Sequence, residues 1–189
     1  MPSNSLQHWK TIRILELDEI DNAHAQVGGG RGHRRATQQI NYAYAVLLSS
    51  QFQGFCRDLH SEAAEFIADA VTPRSLRPVL HHEFKLHRRL DRGNPNPGNI
   101  GADFNRLGIH FWNQVRTPNH RNAGRIGYLE ELNDWRNAIA HQDFTPLGSS
   151  SNLRLTTVRQ WRQACEQLAD AFDIVIKDHI QHLTGAPPW

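Results

Sequence analysis

Arg136, Asn137 and His141 fall within six residues of one another, in the stretch Arg136-Asn137-Ala138-Ile139-Ala140-His141. Arginine is a permanent cation whose forked donors can hold two phosphate oxygens at once. Histidine changes protonation near neutral pH, so it can give or take a proton. Asparagine one helical turn before the histidine can orient the imidazole or donate to a phosphate. These reagents suit a substrate that brings its own nucleophile, such as the 2′-OH of RNA. Cleavage of RNA without a metal needs a base for that proton, an acid for the 5′ leaving oxygen, and positive charge on the phosphorane. Arg136 and His141 are the candidate catalytic pair. One chain supplies one histidine here, whereas two proton transfers use two, so a second copy of the chain would complete the set. A purely structural reading also stands. Arg136 could pair with Glu130, Glu131 or Asp134, and a cationic ring at His141 would favour the dipole of a helix C-terminus.

The charge distribution points to an anionic partner. The net charge is only +2, but residues 104–129 contain no acid while holding Arg106, Arg116, Arg121 and Arg125. Upstream, Arg74, Arg77, Lys85, Arg88, Arg89 and Arg92 face only Glu83 and Asp91. Such sign asymmetry attracts polyanions. Both basic segments could hold an RNA backbone, with Arg121 and Arg125 as candidate substrate-binding residues. Trp112, Tyr128 and Trp135 could stack on bases, although core packing suits each of them. No metal or other cofactor is expected. His81, His82 and His87 lack the spacing of zinc ligands on one helix face, and Cys56 and Cys165 form no CxxC pair. Both cysteines fit buried thiols of a reducing compartment. The run Gly28-Gly29-Gly30-Arg31-Gly32 lacks the GK[ST] ending of a phosphate-binding loop and reads as a flexible interhelical turn. With no basic segment leading into an apolar run and no apolar stretch near membrane-spanning length, the expected compartment is the cytoplasm, with no membrane partner.

The elements that position the motif read as helices throughout. Trp9, Ile12, Ile20, Ala23 and Val27 make an irregular stripe over residues 7–27. The longest helix spans 35–70, with Ala45, Leu48, Phe52, Phe55, Leu59, Ala63 and Phe66 stepping by three or four, and Gly54 allowing a neighbour to approach. A basic segment at 74–92, helical after Pro78, precedes a loop at 94–99 and a short helix over 102–115. The motif helix covers 123–140. On a helical wheel, Tyr128, Leu132, Trp135 and Ile139 form its core face, Asn137 and His141 an open face, and Arg136 lies between them. After a loop at 142–152, a last helix starts near Leu155 with a seam of Val158, Trp161, Cys165, Leu168, Phe172, Val175 and His179. The length and the 39% hydrophobic content suit one domain with a real core. The expected architecture is all-α, an antiparallel four-helix bundle with extra short helices between the second and third main helices. It forms a single domain over 1–189, with flexible ends at 1–6 and 185–189.

The sequence Arg136-Asn137-Ala138-Ile139-Ala140-His141 resembles the Rx4-6H motif of HEPN domains, in the common prokaryotic form RNxxAH. Ala43-Tyr44-Ala45-Val46-Leu47-Leu48 leading into Phe52-Gln53-Gly54-Phe55 is similar to the central helix of stand-alone bacterial HEPN proteins. Gly108-Ile109-His110-Phe111-Trp112 also looks like that branch, and the resemblance spans about residues 35–183. It implies a bundle that dimerises through the motif helices, so that two copies of Arg136 and His141 share one composite cleft. Active HEPN proteins are metal-independent endoribonucleases, often toxins or phage-defence effectors, and some are neutralised by an antitoxin protein. Others serve as non-catalytic modules that bind RNA, a nucleotide or a protein. For this chain the resemblance implies RNA cleavage to a 2′,3′-cyclic phosphate and a 5′-OH.

Overall fold

The computed structural model describes residues 1–28, 34–148 and 151–189, all-α with no strand among them. The helices are α1 (Asn4–His8), α2 (Ile14–Gly28), α3 (Arg34–Ala70), α4 (Arg77–Lys85), α5 (Pro97–Asn105), α6 (Phe111–Arg116), α7 (Arg121–His141) and α8 (Leu155–Thr184). The long elements are α2, α3, α7 and α8, and the short helices α4 to α6 fall between α3 and α7 as expected. Most of the glycine run read as a turn, from Gly29 onward, lies outside the described residues, as do Ser149 and Ser150. No helix among the described residues is long and apolar enough to cross a membrane.

α3 is central because its apolar positions cover so much of its surface. It packs against α2, α7 and α8, and α7 also packs on α8. Tyr44, Leu48, Phe52, Phe55, Leu59 and Ala63 are fully buried, as are Val158, Cys165, Leu168 and Phe172 of α8. Phe172 is the hub, within ring contact of Phe52, Phe104, Phe111 and Trp112. Phe66 departs from the expected stripe: it is 39% exposed, with its ring edge-on to Trp189.

The first predicted helix is divided by a π-helical turn over Trp9–Arg13. The wider turn rotates the chain, so Trp9 and Leu17 face the core while Ile12 is turned out. It also turns Arg13 inward, where its guanidinium donates to Gln51 and pairs with Asp58 at 2.7 Å. Gly54 makes room for it, since a Cβ there would lie 2.5 Å from Arg13 Nη1. The N-terminal residues make contacts with the long helices. Ser3 is buried, its N–H donating to Asp173, and Ser5 donates through its N–H and hydroxyl to Glu62.

The helix expected over 102–115 is two helices. Gly108, at φ 81°, takes a left-handed conformation suited to glycine, and the Asn105 side chain accepts the N–H of Phe111 to start α6. α5 begins earlier than expected because Asn96 caps it, accepting the N–H of Asn99, with Pro97 in the first turn.

Candidate active site

α7 carries the motif. Its buried residues are Asn122, Ile126, Leu129, Leu132, Asn133 and Ala138. This corrects the predicted core face at one position, Tyr128, which is 38% exposed; Leu132 is fully buried, and Trp135 and Ile139 are half-buried and pack against the core. The seam turns because two asparagines can occupy inward positions once their amide N–H groups are bonded, with Asn133 Oδ1 left buried and without a partner. Asn122 Nδ2 donates to the Val115 carbonyl at 2.7 Å. Asn133 Nδ2 donates to Leu129 at 2.7 Å and to Pro95 at 3.2 Å. Wheel reasoning gives inward positions to aromatic residues, but here a loop carbonyl lies over the helix and rewards a buried donor. Trp135 packs against Tyr42, Phe144 and Trp161, and Trp112 donates from Nε1 to the Pro97 carbonyl. Of the three aromatics that could stack on bases, Tyr128 is the exposed one.

The loop over α7 is the part of the site that composition did not reveal. Asn94 Nδ2 donates to Asn137 Oδ1 at 3.0 Å, and Arg136 Nη1 donates to the same oxygen at 3.2 Å. Asn137 thus holds Arg136 and ties the motif to the loop at 94–96. Gln53 of α3 anchors the other side of this loop, donating to the carbonyls of Leu90 and Gly93. Gly93 allows the turn to close, since a Cβ there would lie 2.7 Å from Asn99 Nδ2.

Arg136 is half-buried and, among the described residues, makes no ion pair with a carboxylate. Glu131 accepts from Trp161 Nε1 at 3.1 Å, and Glu130 and Asp134 are exposed. His141 is the last residue of α7 and exposed. Gln142 behind it turns left-handed at φ 54°, and the N–H of Asp143 returns to the Ala138 carbonyl. Asp143 is a neighbour that the sequence reading missed. Hydrogen bonds from Thr145 hold its carboxyl below the ordinary carboxylate range, and the His141 ring adds to that effect.

Arg121 and Arg125 are not gathered with the motif. Arg125 lies eleven residues before Arg136, about 16 Å along the helix, and donates to Asn122. It borders a separate groove of about 290 Å3 with Val115, Asp170 and Ile174. Arg121 is exposed at the far end of α7.

One buried network fixes the segment leading into the loop. Asp103 of α5 is 1% exposed and accepts the N–H groups of Arg89 and Leu90, both at 2.8 Å. His60 of α3 is fully buried beside it, with Nε2 3.1 Å from the Asp103 main-chain carbonyl. That contact requires the proton on Nε2 and leaves Nδ1 buried without a partner. Burial, then the nearby Arg88, pushes the His60 imidazole down to about 4. The unfolded chain therefore takes up a proton near pH 6.5 that the folded protein refuses until about pH 4. The stability from neutral His60 is complete above pH 6.5 and lost as the pH falls through that window, about 3 kcal/mol in all. Urea unfolding from pH 7.5 to 4.5 should show this decline, and His60→Gln should flatten it. An equal slope in the variant would contradict the assignment.

The all-α fold, with Arg136, Asn137 and His141 on one long helix, is consistent with a HEPN-type domain. The RiboL-PSP-HEPN family matches residues 11–178, and the chain belongs to that family of the HEPN superfamily. Comparisons with curated proteins and with solved structures returned no match.

Proposed function

We propose that the protein is a metal-independent endoribonuclease that cleaves RNA by attack of the 2′-OH. The observation that carries this reading is the state of Arg136. It is half-buried, paired with no carboxylate among the described residues, and held by an asparagine amide oxygen, on the helix whose last residue is the exposed His141. A structural arginine would be expected to use one of the three nearby acids, whereas a phosphate-binding arginine keeps its charge available. Arg136 steadies the phosphorane. His141 moves one proton, and His141 of a second copy moves the other, in a composite site at a homodimer interface.

The surface beside the motif supports pairing of two chains. Ala43 and Val46 of α3 are exposed, and with Leu47, Ile139 and Gln142 they border a mainly apolar groove of about 490 Å3. A second motif helix laid there would bring its own Arg136 and His141 close. In the cytoplasm, such an RNase would act as a toxin, with an antitoxin protein as a candidate partner, or as a phage-defence effector.

The test is incubation of the purified protein with single-stranded RNA in excess EDTA, with analysis of the product ends and of solution mass. Cleavage to 2′,3′-cyclic phosphate and 5′-OH ends by a dimer is the expected result. Activity that disappears with EDTA alone would sink the mechanism, and a strictly monomeric active protein would sink the composite site. RNA binding without cleavage would leave a non-catalytic RNA-binding module.

A further inference from the structure

The basic, histidine-rich segment after α3 folds into a pocket of its own. α4 and the turn that follows it enclose about 420 Å3, bordered by His81, His82, Lys85, His87, Arg88 and Arg92. Asp91 is the one acid on this lining, and Arg88 already holds it at 2.8 Å. Lys85 pairs with Glu65 of α3, and His81 lies 3.5 Å from Asp69 of α3. His82, His87 and Arg92 are exposed, and their side chains have no hydrogen-bond or ion-pair partner among the described residues. The pocket thus has a permanent cation and two imidazoles with free donors, while its carboxylate is already engaged.

The backbone is also shaped around the pocket. His87 has φ 56°, a left-handed conformation uncommon for residues other than glycine. Arg88 beneath is buried and fixed by Asp91, by the Arg57 carbonyl and by the Ser61 hydroxyl. The side chain at the floor is therefore fixed, while those of His82, His87 and Arg92 at the rim are unpaired.

The pocket is linked to the candidate active site through the chain, by way of Asn94. Arg92 is two residues from Asn94, whose amide donates to Asn137, so the two are at most about 7 Å apart along the chain. We propose that this pocket is a phosphate subsite for the RNA strand bound at Arg136 and His141. Arg92, His82 and His87 would hold a backbone phosphate to one side of the scissile bond. The proposal rests on the ribonuclease reading and adds the direction in which the strand leaves the site.

The experiment separates the two. A single-stranded oligoribonucleotide is titrated by fluorescence anisotropy into cleavage-inactive His141→Ala protein over a series of salt concentrations. Arg92→Gln with His87→Asn, which tolerates the left-handed backbone, is added to that background. Affinity is expected to fall about 5- to 20-fold, and the slope of log affinity against log salt to shrink by about 0.7 per lost phosphate contact. Lys10 in the π-helical turn pairs with Asp170 of α8 at 2.6 Å, and Lys10→Gln, which removes one charge there, is expected to change binding less than twofold. Unchanged binding in the double variant, or an equal loss with Lys10→Gln, would overturn the subsite and leave the ribonuclease reading standing. Failure of the His141→Ala protein to bind RNA at all would overturn both. Should the double variant melt early, Arg92→Gln alone gives the same readout, since that side chain is exposed and unpartnered.

Discussion

His141→Ala is expected to lower RNA cleavage in EDTA by about 10²- to 10⁴-fold, the usual contribution of a positioned general acid or base, equivalent to about 3–5 kcal/mol of barrier. Folding should be almost unaffected. The ring is exposed at the last position of α7, and the helix end is closed by Gln142 and Asp143 through main-chain bonds that alanine at 141 preserves. Arg136→Ala should cost about 10²- to 10³-fold, as for a lost donor to a developing oxyanion. Arg136→Lys should recover only part of it, because an ammonium cannot reproduce the forked contact with the phosphate. Asn137→Ala removes the oxygen that holds Arg136 and ties it to Asn94, so it should act through the arginine. Initial rates on one defined oligoribonucleotide, together with thermal unfolding of each variant, decide the matter. Full activity in His141→Ala would remove the histidine from the mechanism.

Asp103→Ala is expected to destabilise the protein by about 3–5 kcal/mol. Its carboxylate oxygens each accept one main-chain N–H, from Arg89 and Leu90, in a site that is 1% exposed. Removing both acceptors leaves two donors unpaired, at about 1–3 kcal/mol each, and a small cavity adds to the loss. Asp103→Asn keeps the volume and one acceptor, and should cost roughly half as much. Urea unfolding measures this as a fall in midpoint at constant m-value. The turn held by Asp103 leads through Gly93 to Asn94, so cleavage by the folded fraction should fall as well. A variant that is fully stable and fully active would show that this turn is held by its other contacts, chiefly Gln53.

Much of the site's content was legible because it lies in local chemistry. Apolar residues three and four apart located α3, α7 and α8 to within about two residues, since amphipathic periodicity follows from helix geometry alone. The spacing of Arg136, Asn137 and His141 placed the three on one helix for the same reason. The end of α2 toward Trp9 was less legible. A π turn widens the helix there, and the inserted phase shift has no signature in residue type.

The sequence by itself determined an all-helical chain, its long helices, and a cation and a titratable ring on one of them. Only the tertiary structure decided which way α7 faces and what covers it. Buried Asn133 and exposed Tyr128 reverse the pattern that hydropathy predicts, because the Pro95 carbonyl of a distant loop supplies an acceptor at that face. Asn137 likewise serves Arg136 and Asn94, since the loop at 94–96 is held over α7 by Gln53 and, through its incoming turn, by Asp103. The same path brings Arg92 toward the motif and leaves Arg121 and Arg125 at a distance, although the latter share a helix with it. Hydrogen-bond partners far apart in sequence have no local periodicity to announce them, and they set the geometry around Arg136 and Asn137.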